Sequence, residues 1–379
     1  MAGNYQREAT AFFRDRRFGP FRQNASAILE RFYVPQLDGL RFTAFLLVFM
    51  NHFSWPGGFF KAYGWMGVDL FFVISAFLFT SLLHAEKQKT GSINICLFYL
   101  RRLLRIVPLY LFFIAVILIA FSTMIVWDTT LLKRLIAMVT FTDNLVTASG
   151  RGWNGLPYSV HLWTLSFEMQ FYAIIPFGYL VLARMNRIDR LIALGWVLTL
   201  SLLARLVLLG LGYKHPTIYL VPFLRPEPML LGIALAFWYI DGQPAWPWAL
   251  AFATAVVLFD FMLRSGVNIS TYSGPWQYLV YAIAATIMGV FVCAAIRGPY
   301  LFKQILAAAP LRFLGKISYG LYVYHLLAIA MIPTWLEGPA GFATGILLTI
   351  AMSSASYYII ERPFLKLKDH YAIIASRPA

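Results

Sequence analysis

The apolar runs in this chain constrain its fold more than any other feature. Each is about 20 residues long, the length that an α-helix needs to cross about 30 Å of hydrocarbon. They begin near Leu37, Met66, Tyr99, Leu162, Leu191, Ile218, Ala245, Gln277, Lys316 and Phe342. Only 12% of the residues are charged, about half of the share typical of a soluble domain. The sequence therefore predicts an all-α polytopic membrane protein with about ten transmembrane helices.

A weaker apolar stretch, residues 131–146, does not fit this pattern. It contains Lys133, Arg134, Asp143 and Asn144, which are costly in hydrocarbon unless they are paired or hydrated. We therefore predict a re-entrant or interfacial helix in an outer loop rather than an eleventh span.

The distribution of basic residues predicts the orientation. When the loops are assigned alternately to the two sides, most of the 31 Lys and Arg residues fall on the side of the N-terminus. The positive-inside rule then places both termini in the cytoplasm. We predict a basic cytoplasmic tail over residues 1–33, a membrane domain over 34–363 and a cytoplasmic tail over 364–379. Such a protein would be a multi-pass component of the cell membrane, and its net charge of +15 then needs no nucleic-acid partner.

The cysteine count limits the chemistry. Cys96 and Cys293 are the two cysteines of the chain, too few for a disulfide framework or a cysteine-based metal cluster. We therefore predict no metal site and no redox function.

Two ionisable residues stand in the first apolar run. Arg41 and His52 are eleven residues apart, which on a helix is about 20° beyond three full turns and about 16 Å of rise. Both side chains therefore lie on one face of the helix, where they could belong to one line of polar groups. Taken singly, Arg41 also fits a snorkelling arginine paired with Asp38, and His52 also fits an interfacial histidine bonded to a carbonyl.

Two carboxylates are predicted at the depth of His52. Asp69 lies near the start of the second run and Glu168 about two turns into the fifth. Ionisable groups at one depth favour a shared polar cavity, in which either carboxylate could orient the imidazole. Asp69 could also pair with a cation near the outer surface.

Further polar residues are candidates for the same cavity. Several have a structural alternative as well: Ser75 in helix packing, and Arg225 with Glu227 as an ion pair in a run that three prolines break. The candidates are Ser75, Ser166, Arg225, Glu227, Tyr322 and His325.

An arginine cluster precedes Pro108. Arg102 and Arg105 are three residues apart and share a helix face at the predicted cytoplasmic edge. A hydrated positive-inside cluster is one interpretation. A phosphate clamp is the other, since guanidinium groups bind phosphate oxygens in bidentate fashion.

Six segments together resemble the acyltransferase-3 family of bacterial multi-spanning membrane enzymes. In chain order they are LDGLRFTAFLLVFMNH, GVDLFFVISAFL, FYLRRLLRIVPLY, WTLSFEMQFY, ISYGLYVYHL and ERPF. The resemblance runs from about Val34 to Lys368. One departure is SAFL, where Ala76 stands in place of the expected glycine.

The resemblance implies transfer of an acyl group, most often acetyl, from acyl-CoA to a hydroxyl of a glycan, a lipid-linked sugar or a similar acceptor. It makes His52 the candidate catalytic base and Arg41, Arg102 and Arg105 the candidate donor-binding residues. His52 would remove the proton of the acceptor hydroxyl, which attacks the thioester carbonyl. Glu168 or Asp69 would orient the imidazole.

The partners implied are therefore acyl-CoA as a donor substrate, the acceptor and the lipid bilayer, with no permanently bound cofactor and no nucleic acid. Several alternatives stay open. An acyl-enzyme could form at Ser75 or Ser166. A transporter or flippase of a glycolipid or small anion would also use ten spans, a proline-broken helix and a line of polar groups. A third alternative is a membrane acyltransferase of a different architecture, which uses a His and Asn pair. The sequence carries no signal of oligomeric state.

Overall fold

The computed structural model of the chain describes residues 32–53, 55, 58–149, 156–213, 215–242, 248–264 and 277–374. Nearly all of the predicted N-terminal tail, residues 1–31, lies outside the described residues. Helices and their connections account for the described part, which contains no strand. The α-helices are α1 Gln36–His52, α2 Gly58–Tyr63, α3 Met66–Thr90, α4 Ile95–Ala120, α5 Thr129–Val139, α6 Asp143–Ala148, α7 Trp163–Leu182, α8 Arg187–Gly210, α9 Thr217–Leu220, α10 Glu227–Ile240, α11 Trp248–Arg264, α12 Gln277–Arg297, α13 Tyr300–Leu306, α14 Ala309–Lys316, α15 Ser318–Ala330, α16 Gly338–Ser356 and α17 Arg362–His370.

Six helices in the described part are long and apolar enough to cross a membrane, namely Met66–Thr90, Ile95–Ala120, Val160–Leu182, Arg187–Gly210, Leu279–Arg297 and Gly338–His370. A seventh span results if α14 and α15, which meet at a bend of 72°, are counted as one. The other three predicted spans contain shorter helices: α1 and α11 have 17 residues each, and α9 and α10 are separated by a break. The all-helical fold is thus confirmed, and the count of ten spans is not.

The stretch predicted as re-entrant or interfacial forms two short helices, α5 and α6. They contain 11 and 6 residues, too few for either to cross about 30 Å of hydrocarbon. Phe141, with φ 54°, lies in the turn between them. Arg134 on α5 bonds Asp143 on α6 at 3.2 Å, and both side chains are buried. The position of this pair relative to the bilayer stays a prediction.

Two buried ion pairs fix the broken helix against its neighbours. Asp69 on α3 pairs with Arg225, and Arg205 on α8 pairs with Glu227 at the start of α10. Arg205 also donates to the carbonyl of Leu224, in the proline-rich break that ends helical bonding. Each guanidinium therefore neutralises a carboxylate, and Arg205 also satisfies a carbonyl that the break leaves without a helical partner.

The expected pair between Arg225 and Glu227 is therefore wrong. Arg225 precedes α10 in a non-helical conformation, with φ −143° and ψ 58°, whereas Glu227 is the first residue of the helix. The backbone change between them separates the two side chains, so each bonds a residue on a different helix. Both stay buried, Arg225 completely.

Close backbone contacts hold α1, the helix with Arg41 and His52. A Cβ atom on Gly39 would overlap the carbonyl oxygen of Leu306, and one on Gly315 would overlap that of Asp38. Only glycine permits such an approach. α1 therefore lies tightly between α3 on one side and the α13–α15 segment on the other.

The chain predicted as a C-terminal tail from residue 364 begins inside α17. A π-helical turn, Tyr357–Glu361, joins this helix directly to α16. α17 packs against α4 and buries Leu365 and Lys368. Residues 375–379 lie outside the described part.

We expect Asp69→Asn to destabilise the protein, because it leaves the Arg225 guanidinium buried without its counter-charge. Breaking one buried ion pair in this way costs about 3–5 kcal/mol. Thermal unfolding of the detergent-purified protein measures the loss as a lower Tm. Asp260→Asn, which breaks the exposed pair with Arg264, is the control and should leave Tm unchanged. An equal Tm for Asp69→Asn and the wild type would contradict the structural role of the pair.

Candidate active site

A polar cavity lies between α1, α3, α4, α7 and α15. Its space amounts to about 730 Å³, including the part open to solvent. The lining residues come from one face of each helix: Arg41 from α1; Val68, Phe71, Phe72, Ser75 and Phe79 from α3; Arg102, Arg105 and Ile106 from α4; Thr164, Leu165, Glu168 and Tyr172 from α7; and Ser318, Tyr319 and Tyr322 from α15. Val68 and Phe79 are eleven residues apart, so the α3 wall is about 16 Å long.

Three arginines line the cavity: Arg41, Arg102 and Arg105. We call the part lined by Arg102 and Arg105, next to Phe79, the arginine end. Arg102 and Arg105 share a face of α4, and the Arg102 guanidinium lies 4.3 Å from the ring centre of Phe79. Among the described residues, neither of these two arginines has a carboxylate within ion-pair distance. Arg41 faces Asp38 at 4.0 Å. The structure thus brings together the three residues predicted to bind the donor.

Glu168 lies halfway along the cavity and is half-buried. One of its oxygens, Oε1, accepts a hydrogen bond from Ser75 Oγ at 2.7 Å and another from Tyr172 Oη. Thr164, Glu168 and Tyr172 follow at intervals of four residues, which places them on one face of α7. Glu168 is the one carboxylate among the lining residues.

Tyr322 and Thr164 line the part of the cavity next to a group of three histidines. Thr164 Oγ1 and Tyr322 Oη lie 2.8 Å apart, and Tyr322 Oη donates to the backbone oxygen of His161 at 3.0 Å. The Tyr322 ring centre is 5.5 Å from that of His325. The tyrosine therefore connects the cavity with the histidines beyond it.

These histidines, His52, His161 and His325, form what we call the histidine cluster. His325 Nε2 lies 3.3 Å from His52 Nδ1, and the His325 and His161 ring centres are 4.7 Å apart. His325 and His161 are buried, whereas His52, the last residue of α1, is exposed. His161 and His325 each turn one ring nitrogen to a backbone carbonyl, and no group of three His, Cys, Asp or Glu in the described part is arranged to hold a metal ion.

Hydrogen bonding in the cluster assigns the tautomer of His52. His325 Nδ1 faces the carbonyl of Tyr322, which only accepts, so this nitrogen carries the proton. In the neutral ring, His325 Nε2 is then an acceptor. His52 Nδ1 lies between that acceptor and the carbonyl of Val48 at 2.9 Å, so it donates. The lone pair of His52 is left on Nε2, where it is able to take a proton.

Neither predicted carboxylate reaches His52, and this part of the sequence interpretation is wrong. Asp69 is completely buried in its pair with Arg225, and Glu168 bonds Ser75 and Tyr172. Asp69 is thus paired with a cation, as its alternative has it, and that cation is the buried Arg225.

Among the other candidates, the structure brings Ser75 and Tyr322 to the cavity and His325 to His52. Ser166, Arg225 and Glu227 do not line the cavity. Ser166 is completely buried, and its Oγ has no hydrogen-bond partner among the described residues. Ser166 is therefore poorly placed for an acyl-enzyme.

Sequence reasoning missed His161 as a member of the cluster. The available signal was its position seven residues before Glu168, which corresponds to about two helical turns and hence to one face. The contact between His52 and His325 had no such signal, since the two residues are 273 positions apart.

Comparison with known proteins identifies the family of the chain. A family model described as an acyltransferase domain matches residues 34–361. The chain is 29% identical over 367 residues to the O-acetyltransferase OatA of Staphylococcus aureus, both in strain NCTC 8325 / PS 47 and in strain COL. Each alignment covers 88% of this chain and 57% of the relative, so the chain spans little more than half the length of these curated relatives. No solved structure matches the chain.

We expect diethyl pyrocarbonate to modify His52 faster than the two buried histidines of the cluster, because only an unprotonated and accessible ring nitrogen reacts. Peptide mass spectrometry of the protein in detergent micelles gives the rate at each site. His52→Gln identifies the corresponding peptide as a control. Modification of His325 or His161 at the rate of His52 would contradict the assignment.

Proposed function

Because this chain belongs to the acyltransferase-3 family, we propose that it is a membrane O-acyltransferase that moves an acyl group, most often acetyl, from acyl-CoA to a hydroxyl. The observation that carries the proposal is a single cavity lined by three arginines and by Tyr322, whose ring lies next to the histidine cluster. The acceptor would be a glycan, a lipid-linked sugar or a similar compound of the cell envelope.

The arginine end is suited to the phosphates of the donor. Guanidinium groups bind phosphate oxygens through paired hydrogen bonds, and the two at this end, those of Arg102 and Arg105, lie on one face of α4. Stacking on Phe79 fixes the plane of Arg102, which reduces the conformational entropy lost on binding. A polyanion such as CoA is therefore a better match for this end than an apolar ligand.

The length of the cavity matches an extended acyl carrier. The α3 wall covers about 16 Å, equal to the rise from Arg41 to His52 on α1. A pantetheine arm of this length, anchored by its phosphates at the arginine end, would carry the thioester to Tyr322 and the histidine cluster. Phe71, Phe72 and Leu165 supply an apolar wall along the way.

In the reaction, His52 Nε2 takes the proton of the acceptor hydroxyl as its oxygen attacks the thioester carbonyl. The tetrahedral intermediate then releases the CoA thiolate, which recovers the proton from the imidazolium. His325, as the acceptor of the His52 Nδ1 proton, positions the ring. Glu168 would balance part of the arginine charge rather than orient His52.

Topology and location complete the proposal. Ten spans with both termini in the cytoplasm would place the arginine end towards cytoplasmic acyl-CoA and His52 towards the outer side of a bacterial inner membrane. A transporter of a glycolipid or small anion would also use such a cavity. Family membership favours acyl transfer, and a carrier would release no CoA thiol.

We expect His52→Ala to lower turnover by about 10²–10⁴-fold, the usual contribution of general-base assistance. The measurement is release of free thiol from acetyl-CoA by the purified protein with a panel of sugars and lipid-linked glycans. His84→Ala, a histidine that bonds Tyr179 away from the cavity, should retain activity. Turnover by His52→Ala at the wild-type rate would show that His52 is not the general base.

Replacement of Arg102 or Arg105 by Gln should raise the KM for acetyl-CoA, since each loses a charge-assisted contact with phosphate worth about 1.5–3 kcal/mol, or roughly 10- to 150-fold. Lysine at either position should restore only part of the affinity, because it lacks the bidentate geometry. Arg264→Gln, at an exposed position on α11, is the control. An unchanged KM in both cavity variants would place the donor elsewhere.

A further inference from the structure

A second pocket adjoins the arginine end. Its space amounts to about 410 Å³, including the part open to solvent, and it shares Phe79 and Arg102 with the main cavity. Its other walls come from the C-terminal part of α3, the start of α4, and α17 with the residues that follow it. They are Leu82, Leu83, Glu86, Phe98, Arg101, Lys368, Ala372 and Ile374.

This pocket, which we call the lysine pocket, combines buried cations with an aromatic surface. Arg101 and Lys368 are each 8% exposed. Arg101 pairs with Glu86 at 2.8 Å, and Lys368 pairs with Asp369 at 2.9 Å. Among the described residues, Arg102 is therefore the lining cation that has no carboxylate within ion-pair distance. Burial of a charge without such a partner is costly unless an anion binds there.

The aromatic side chains lie next to the cations. The Arg102 guanidinium is 4.3 Å from the ring centre of Phe79 and 5.7 Å from that of Phe98. Phe79 and Phe98 are themselves in edge-to-face contact, with ring centres 6.2 Å apart. A planar base and a phosphate therefore both find complementary groups within one pocket.

We propose that the lysine pocket is a second donor subsite, which binds the adenine and the phosphorylated ribose of acyl-CoA, with Lys368 facing the ribose phosphate. The proposal rests on the proposed function. CoA carries a diphosphate and, separately, a phosphate monoester on its ribose. Arg102 stands between the two pockets, so a diphosphate at the arginine end would leave the nucleoside beside Lys368.

The position of Lys368 supports a role in binding. It extends from α17 towards α4, and its partner Asp369 has a half-exposed side chain able to turn to solvent. A compact ammonium group binds a phosphate monoester as a point charge, without the fixed geometry of arginine. If Lys368 only attached α17 to α4, its replacement would change the KM of all donors by the same factor.

The test compares acetyl-CoA with its analogue that lacks the ribose 3′-phosphate. We expect the wild-type protein to have a KM about tenfold or more higher for the dephospho donor, owing to the loss of a charge-assisted contact. Lys368→Met should raise the KM for acetyl-CoA to that of the dephospho donor and leave the latter unchanged. Lys366→Met, an exposed lysine of the same helix, is the matched control, and Lys368→Arg should keep most of the discrimination.

Equal KM values for the two donors in the wild type would overturn the proposal. A rise in KM by the same factor for both donors in Lys368→Met would also overturn it, in favour of a structural role. Calorimetric binding of CoA and 3′-dephospho-CoA to the same proteins separates this proposal from the proposed function. If CoA binds more tightly than 3′-dephospho-CoA, and this difference depends on Lys368, but acetyl-CoA is not turned over, only the proposed acyltransferase activity is contradicted. If CoA does not bind, both that activity and the second donor subsite are contradicted.

Discussion

The cost of burying charge in an apolar interior shapes this protein more than any single packing contact. Asp69 and Arg225 are both completely buried, and each compensates the charge of the other. The nearby pair of Arg205 and Glu227 does the same, and Arg205 also binds a carbonyl that the broken helix leaves open. These pairs hold α3, α8 and α10 in place, and α3 supplies one wall of the cavity.

In the candidate site, by contrast, some charged groups lack a partner of opposite charge within the described part of the protein. At the arginine end, Arg102 and Arg105 have no carboxylate within ion-pair distance among the described residues, although they line the cavity. At the other end, His52 keeps an accessible ring nitrogen because His325 and a backbone carbonyl both face its Nδ1 atom. Charges that are compensated within the protein therefore build the scaffold. Those that are not compensated remain available to a ligand.

Helical periodicity predicted part of the cavity lining. The three-residue spacing of Arg102 and Arg105 placed both on one face of α4, and both line the cavity. The anion site that their clustering indicates stays a prediction. The predicted contact of Asp69 with His52 was wrong. It rested on their similar depth in the membrane, and depth does not determine the direction in which a side chain points.

Other contacts had no local signal at all. Arg225 and Glu227 are separated by a proline-induced change of backbone direction that periodicity does not describe. The contact of His52 with His325 joins residues 273 positions apart, so it depends on how α1 and α15 pack. Glycines at positions 39 and 315 permit the close approach of α1 to α13 and α14, yet the sequence does not show which residue either glycine contacts.

The most direct measurement of the central claim is an experimental structure of the protein with a non-hydrolysable acetyl-CoA analogue. The account predicts phosphate oxygens within hydrogen-bond distance of Arg102 and Arg105, a pantetheine arm along α3, and the acyl carbonyl next to Tyr322. It also predicts that the reacting carbon lies close enough for an acceptor hydroxyl to contact both it and His52 Nε2. An analogue bound outside the cavity, or one whose acyl group points away from the histidine cluster, would contradict the account.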